Sequence, residues 1–133
     1  MTRRFSRTWH DDSVALYAPY RFVVAFENHP DTDGYVTEKI VNAFLAGAIP
    51  IYRGPSDIGK YFNSRAFVNC GNFESLVACA RYVTELDQDA QRIKAILSEP
   101  PVETTEQLER TFAWITGVPG NEKMALRLRS GLR

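Results

Sequence analysis

The sequence predicts an α/β fold, a short parallel sheet with trailing helices, and three observations carry that prediction. Two short runs, "YRFVVAF" and "AIPIY", are apolar, β-branched and aromatic, as strands buried on both faces of a parallel sheet are. Between them, Val36, Ile40, Val41, Phe44 and Leu45 recur at helical spacing. Strand, helix and strand then fall within about thirty-five residues, one βαβ unit whose crossover is expected to be right-handed.

The elements follow in order. Residues 1–19 read as a remnant or linker segment, made basic by Arg3, Arg4 and Arg7. The first strand covers Tyr20 to Phe26, and the polar loop "ENHPDTDG" ends at Gly34. The helix that follows closes at Gly47, placed as a C-terminal cap glycine is. Gly54-Pro55 ends the second strand, and Ser56 is expected to cap a short helix through Tyr61. "AFVNC" reads as a third strand. Asn72 precedes an amphipathic pattern of Phe73, Leu76, Val77, Ala80 and Val83. Asp87 is placed to cap the next helix, which holds Ile93, Ile96 and Leu97 and is stopped by Pro100-Pro101. Thr104 and Gln107 form a capping-box pattern before Leu108, Phe112 and Ile115, with Gly117 and Pro119 as the stop. The domain is thus drawn over 20–118, with 119–133 as a tail. Three strands are few for an independent doubly wound domain, so the chain is expected to be one half of a larger architecture.

Bulk properties exclude several function classes. The chain has 133 residues, 44% apolar and 24% charged, which fits one soluble domain with a core. Sixteen basic residues balance sixteen acidic ones, so no global field favours nucleic acid or an anionic membrane. The basic ends, with Arg127, Arg129 and Arg133 closing the chain, read as solvated tails. No apolar run nears the ~18 residues of a membrane span, and the first residues lack a signal peptide's apolar core. Cys70 and Cys79 lack companions at zinc spacing and read as two small buried thiols, with a single bridge as the alternative.

Chemistry concentrates in one stretch, "GYVTEKIVNAFLAGAIPIYRG". Ligands of an open parallel sheet bind beyond the C-terminal ends of its strands. Phe26-Glu27-Asn28 stands at such an end, and Tyr35 to Lys39 begins the next helix. Unpaired N–H groups of a first helical turn, together with Lys39, make a seat for phosphate or diphosphate. Glu38 does not suit an anion but suits sugar hydroxyls. An acid in a first turn and a surface lysine are equally ordinary structural features, and spacing alone does not separate the two readings. Asp31-Thr32-Asp33 is literally D-x-D, a pattern that holds a divalent cation in one class of sugar-nucleotide transferases, and His29 stands close enough to join it. Two acids in a solvated loop arise by chance as well. No phosphate-binding glycine loop and no serine–histidine–acid set can be assembled with only His10 and His29 present.

"YRFVVAFENH…DGYVTEKIVNAFLAGAIPIYRGP" followed by "FNSRAFVNCGNF" resembles the donor-binding half of the α-1,3/4-fucosyltransferases of glycosyltransferase family 10. Matching positions run from about Tyr20 to Phe73, with weaker helical similarity to about Leu97. The resemblance implies the Rossmann-like C-terminal half of a GT-B glycosyltransferase, which binds GDP-fucose as donor substrate and needs no cofactor or metal. It makes the D-x-D a coincidental loop. By position, Lys39 would neutralise the diphosphate, Glu38 would take donor hydroxyls, and Tyr35 and Asn28 would border the same nucleotide-sugar. The implied reaction is inverting transfer of fucose to a hydroxyl of a glycan acceptor, of which N-acetylglucosamine-containing glycans are one candidate.

Two departures bear on this. His29 follows "FEN" where the family usually has Ser or Thr. The family's acceptor site, its catalytic carboxylate and a diphosphate-binding arginine belong to sequence upstream of the match, and Arg7 does not replace that arginine. No catalytic residue is therefore assigned within this chain. The competing readings are a non-catalytic nucleotide-sugar-binding module and a metal-dependent transferase using Asp31 and Asp33. Resemblance would place a eukaryotic member at the Golgi membrane and a bacterial one in the cytoplasm or at a membrane.

Overall fold

The computed structural model describes residues 9–112. The helices and strands follow in the order α1 (Trp9–Tyr17), β1 (Phe22–Phe26), α2 (Glu38–Leu45), β2 (Ile49–Arg53), β3 (Val68–Asn69), α3 (Leu76–Asp87), α4 (Ala90–Ser98) and α5 (Thr105–Phe112), with short 3-10 turns around β3. The sheet is wholly parallel in the order β1-β2-β3, with Phe22 facing Ile49 and Phe26 facing Arg53. The βαβ unit read from periodicity is therefore present.

Strand alternation sorts side chains to two faces. Ala25 and Tyr52 turn toward α2 and share a core with Ile40, Val41, Phe44, Phe62 and Phe67. Ile49 and Val68 turn the other way, where Cys79, Leu86 and Ile93 of α3 and α4 cover them. Pro50 lies in the central strand, where a missing N–H is normally costly. Ile49 donates to Arg21 on the β1 side, so Pro50 points toward β3, whose pairing begins only at Ile51 opposite Val68. Gly47 follows α2 with φ 78°, the left-handed conformation that lets the chain leave the helix and enter β2 directly.

Several boundaries differ from the sequence reading, each for a local reason. Residues 9–17, within the stretch read as remnant or linker, form α1, and Tyr17 packs on Val23, Ala43 and Ala48. β1 starts at Phe22, not Tyr20, because Tyr20 donates a turn hydrogen bond back to Tyr17. After Pro55 there is only the 3-10 turn Ile58–Lys60, preceded by Asp57 rather than capped by Ser56. Ser75, not Asn72, caps α3 by accepting from the Ala78 N–H, which leaves Phe73 outside the helix. Asp89 rather than Asp87 caps α4, since α3 runs on through Asp87. Thr104 accepts from the Gln107 N–H as the capping-box pattern requires, but Gln107 Oε1 reaches back to the N–H of Glu103. Cys70 and Cys79 form a disulfide instead of two free thiols; their Cα atoms are 5.4 Å apart because α3 folds back against the end of β3. The basic ends, the tail and the helix stop at Gly117 and Pro119 lie outside the described residues.

No helix among the described residues is long and apolar enough to cross a membrane. β1 is an edge strand, and Val24 on it is exposed.

Candidate functional site

The C-terminal ends of the strands gather the candidate residues. Beyond Phe26 the ladder continues for one residue, as the Glu27 N–H donates to Arg53 at 2.8 Å. Glu27 thus keeps the parity of Ala25, and its side chain falls on the α2 face of the sheet. There it is 5% exposed, a buried carboxylate. Its Oε1 accepts from both the N–H and the hydroxyl of Thr37, each at 3.1 Å.

Thr37 is the N-cap of α2, in extended conformation before the first helical residue, Glu38. Its Oγ1 accepts from the Lys39 N–H at 3.5 Å and from Lys39 Nζ at 3.3 Å. One hydroxyl thereby joins a strand-end carboxylate, a helix start and a lysine ammonium. Glu38 adds a half-buried carboxylate in the same turn. The arrangement places N–H groups, a cation and an acid together at the edge where open α/β sheets bind ligands.

Tyr35 is half-buried, and its ring meets His29 edge-on, with centroids 5.0 Å apart at 83°. Asn28 is exposed in the loop directly after β1. Glu38 and Lys39 are thus neighbours at the helix start, while Tyr35 and Asn28 lie on the loop that leads to it. An open cavity of about 370 Å³ lies between the loop after β1 and the segments that follow β2 and β3. Asp31, Asp33, Ser56, Asn69 and Asn72 line it; Asn28, Tyr35, Glu38 and Lys39 do not. Among the described residues no group of three or more His, Cys, Asp or Glu side chains is arranged to hold a metal ion.

Sequence reasoning placed Glu27 at a strand end but gave it, Thr37, Tyr52 and Gly54 no role here. Tyr52 is fully buried opposite Ala25. Burial first, then the carboxylates of Glu27 and Asp57, push its phenol well above its ordinary range, so it stays protonated. Gly54 passes so close that a Cβ there would lie 2.2 Å from the Tyr52 hydroxyl and 2.9 Å from Glu27 Cγ. Two sequence signals were available: threonine immediately before a helical pattern, and the alternation that puts Glu27 on the face of Ala25.

Comparison with known proteins identifies the family and the fold. The model of glycosyltransferase family 10 (fucosyltransferase), C-terminal region, matches residues 2–97. The alpha-(1,3)-fucosyltransferase FucT of Helicobacter pylori is 36% identical over 87 residues, 65% of this chain and 18% of the relative. The human 4-galactosyl-N-acetylglucosaminide 3-alpha-L-fucosyltransferase FUT6 is 42% identical over 78 residues, 55% of this chain and 21% of the relative. This chain therefore spans about a fifth of the length of these relatives. A crystal structure of an alpha1,3-fucosyltransferase with GDP-fucose superposes with TM-score 0.66 at 33% identity, covering 71% of this chain and 28% of that one. One with GDP gives TM-score 0.68 at 27% identity, covering 89% and 34%. The short parallel sheet and its helices are the Rossmann-like α/β fold of a GT-B glycosyltransferase half.

Proposed function

The chain belongs to glycosyltransferase family 10, the fucosyltransferases, in their C-terminal region, and from that premise we propose that it holds GDP-fucose for inverting, α-1,3-type transfer of fucose to a glycan hydroxyl. The observation that carries this reading is the tethered Lys39 at the first turn of α2, beyond the C-terminal end of β1. Its ammonium and the positive end of the α2 dipole oppose the charge of a diphosphate. Glu38 takes donor hydroxyls, and Tyr35 and Asn28 border the nucleotide-sugar.

In such a transfer the acceptor oxygen bonds to the fucose anomeric carbon as the bond to GDP breaks. The diphosphate leaves with its negative charge, and Lys39 stabilises the charge that develops there. The acceptor's proton goes to a carboxylate that we assign outside these residues. On this reading the chain is a donor-binding half that transfers no fucose by itself, since general-base help worth about 100- to 10,000-fold and acceptor positioning are assigned to other residues. The Cys70–Cys79 bridge supports work in an oxidising compartment such as the Golgi lumen.

Calorimetric titration with GDP and GDP-fucose tests the reading. Lys39→Ala should weaken binding by about 1.5–3 kcal/mol, the worth of a charge-assisted hydrogen bond. Equal affinity in wild type and variant would remove the claim. EDTA should change nothing; a manganese requirement abolished by Asp31→Ala would establish the metal-dependent reading instead. Tight GDP-fucose binding without transfer, even beside an acceptor-side domain, would leave a non-catalytic nucleotide-sugar module.

A further inference from the structure

Glu27 is a costly residue to bury. A carboxylate taken from water without full pairing is destabilising, and here one oxygen, Oε2, has no hydrogen-bond partner among the described residues. A core built for stability alone would place an apolar side chain at this strand end. The other oxygen shows what the carboxylate does instead. Oε1 takes both protons that Thr37 can offer, from its N–H and its hydroxyl. A threonine hydroxyl has one proton and two lone pairs. With the proton committed to Glu27, both lone pairs face Lys39, one toward its N–H and one toward its ammonium. The carboxylate therefore sets the direction of the hydroxyl, and the hydroxyl sets the place of the cation.

We propose that Glu27 is a positioning residue for nucleoside-diphosphate binding, acting through Thr37 to hold the start of α2 and the Lys39 ammonium in place. Gly54 belongs to the same device: any Cβ there would press on Glu27 Cγ and the Tyr52 hydroxyl, so glycine leaves both side chains their place. The inference rests on the proposed donor reading and deepens it, since it adds a residue that does not touch the ligand.

A double-mutant cycle on the full 133-residue chain, with GDP as the probe in calorimetry, tests it. Glu27→Leu should weaken GDP binding about tenfold in the wild-type background and less than about twofold in Lys39→Ala, because its effect passes through Lys39. Thr37→Val should behave in the same way. Glu27→Gln keeps an acceptor for Thr37 and should stay within about threefold of wild type. Thermal unfolding of each variant separates loss of fold from loss of affinity; if Glu27→Leu fails to fold, the Thr37→Val cycle decides. Effects of Glu27→Leu and Lys39→Ala that add in full, or wild-type affinity in Thr37→Val, would overturn the positioning role while leaving the donor site intact. Absence of GDP binding by the wild-type chain would overturn the donor reading and this inference with it.

Discussion

Glu27 and Tyr52, under the start of α2, and Asn63 together with Gln107 and Thr111 of α5 are two sets of buried polar side chains. The first set leaves Glu27 Oε2 and the Tyr52 hydroxyl without hydrogen-bond partners among the described residues. The second is fully engaged. Asn63 donates to Glu99 and to the Pro100 carbonyl, each at 3.0 Å, and accepts from the Arg65 N–H. Gln107 donates to the Gly59 carbonyl, and Thr111 donates to that of Tyr61. Both sets bury polar atoms, yet the first offsets the cost only in part, through Glu27 Oε1. The α5 region is thus built as a strap that closes the fold. The sheet edge keeps an imperfectly satisfied cluster, which is where function is expected to override stability.

The sharpest way to break this contrast is to cut the strap. Asn63→Ala should destabilise the fold by about 2–4 kcal/mol, since three hydrogen bonds of a fully buried side chain vanish and the Pro100 carbonyl and Arg65 N–H lose their partner. Urea unfolding would measure it, and GDP affinity at low urea should not change. A loss below about 1 kcal/mol would mean that the strap carries little of the stability.

Removing a hydroxyl from the other set should do far less. Tyr52→Phe deletes a buried oxygen that has no partner among the described residues, so stability should stay within about 1 kcal/mol of wild type or rise. A large loss in the same unfolding measurement would show that the hydroxyl is bonded in solution, through water for example, and that the two sets are alike.

The smallest effect is acid sensitivity at the strap's rim. The Asn63 amide, aided by Arg65, holds the Glu99 carboxyl below its ordinary range. A depressed folded-state pKa gives stability that is present above the unfolded value and is lost as pH falls through the folded one. Glu99 should therefore titrate below an unperturbed glutamate in a carboxyl NMR titration, and Asn63→Ala should move its midpoint upward. An unmoved midpoint would assign the shift to Arg65 and detach it from the strap.

Much of the fold was legible because its signals are local. The two apolar runs, the helical spacing between them and Gly47 each report on a few consecutive residues, and all three reappear in the structure. Helix starts were read less well. Asn, Asp and Ser at several neighbouring positions are near-equivalent caps, and the choice of Ser75 over Asn72 and Asp89 over Asp87 depends on where the helix must lie to cover the sheet. The four candidate site residues came from motif position. Glu27 and Thr37 were passed over because an acid at a strand end and a threonine before a helix are each ordinary when seen alone.

By itself the sequence determined the βαβ unit, the family and the juxtaposition of Glu38 with Lys39, since each is written in adjacent or periodically spaced residues. Only the tertiary structure decided which buried polar atom meets which. Glu27 reaches Thr37 across ten positions, Gln107 reaches Gly59 across forty-eight, and Cys70 pairs with Cys79. Hydrogen bonds and disulfides act over a few ångströms and only in narrow directions, so their partners are selected by how the elements pack, which no local pattern specifies.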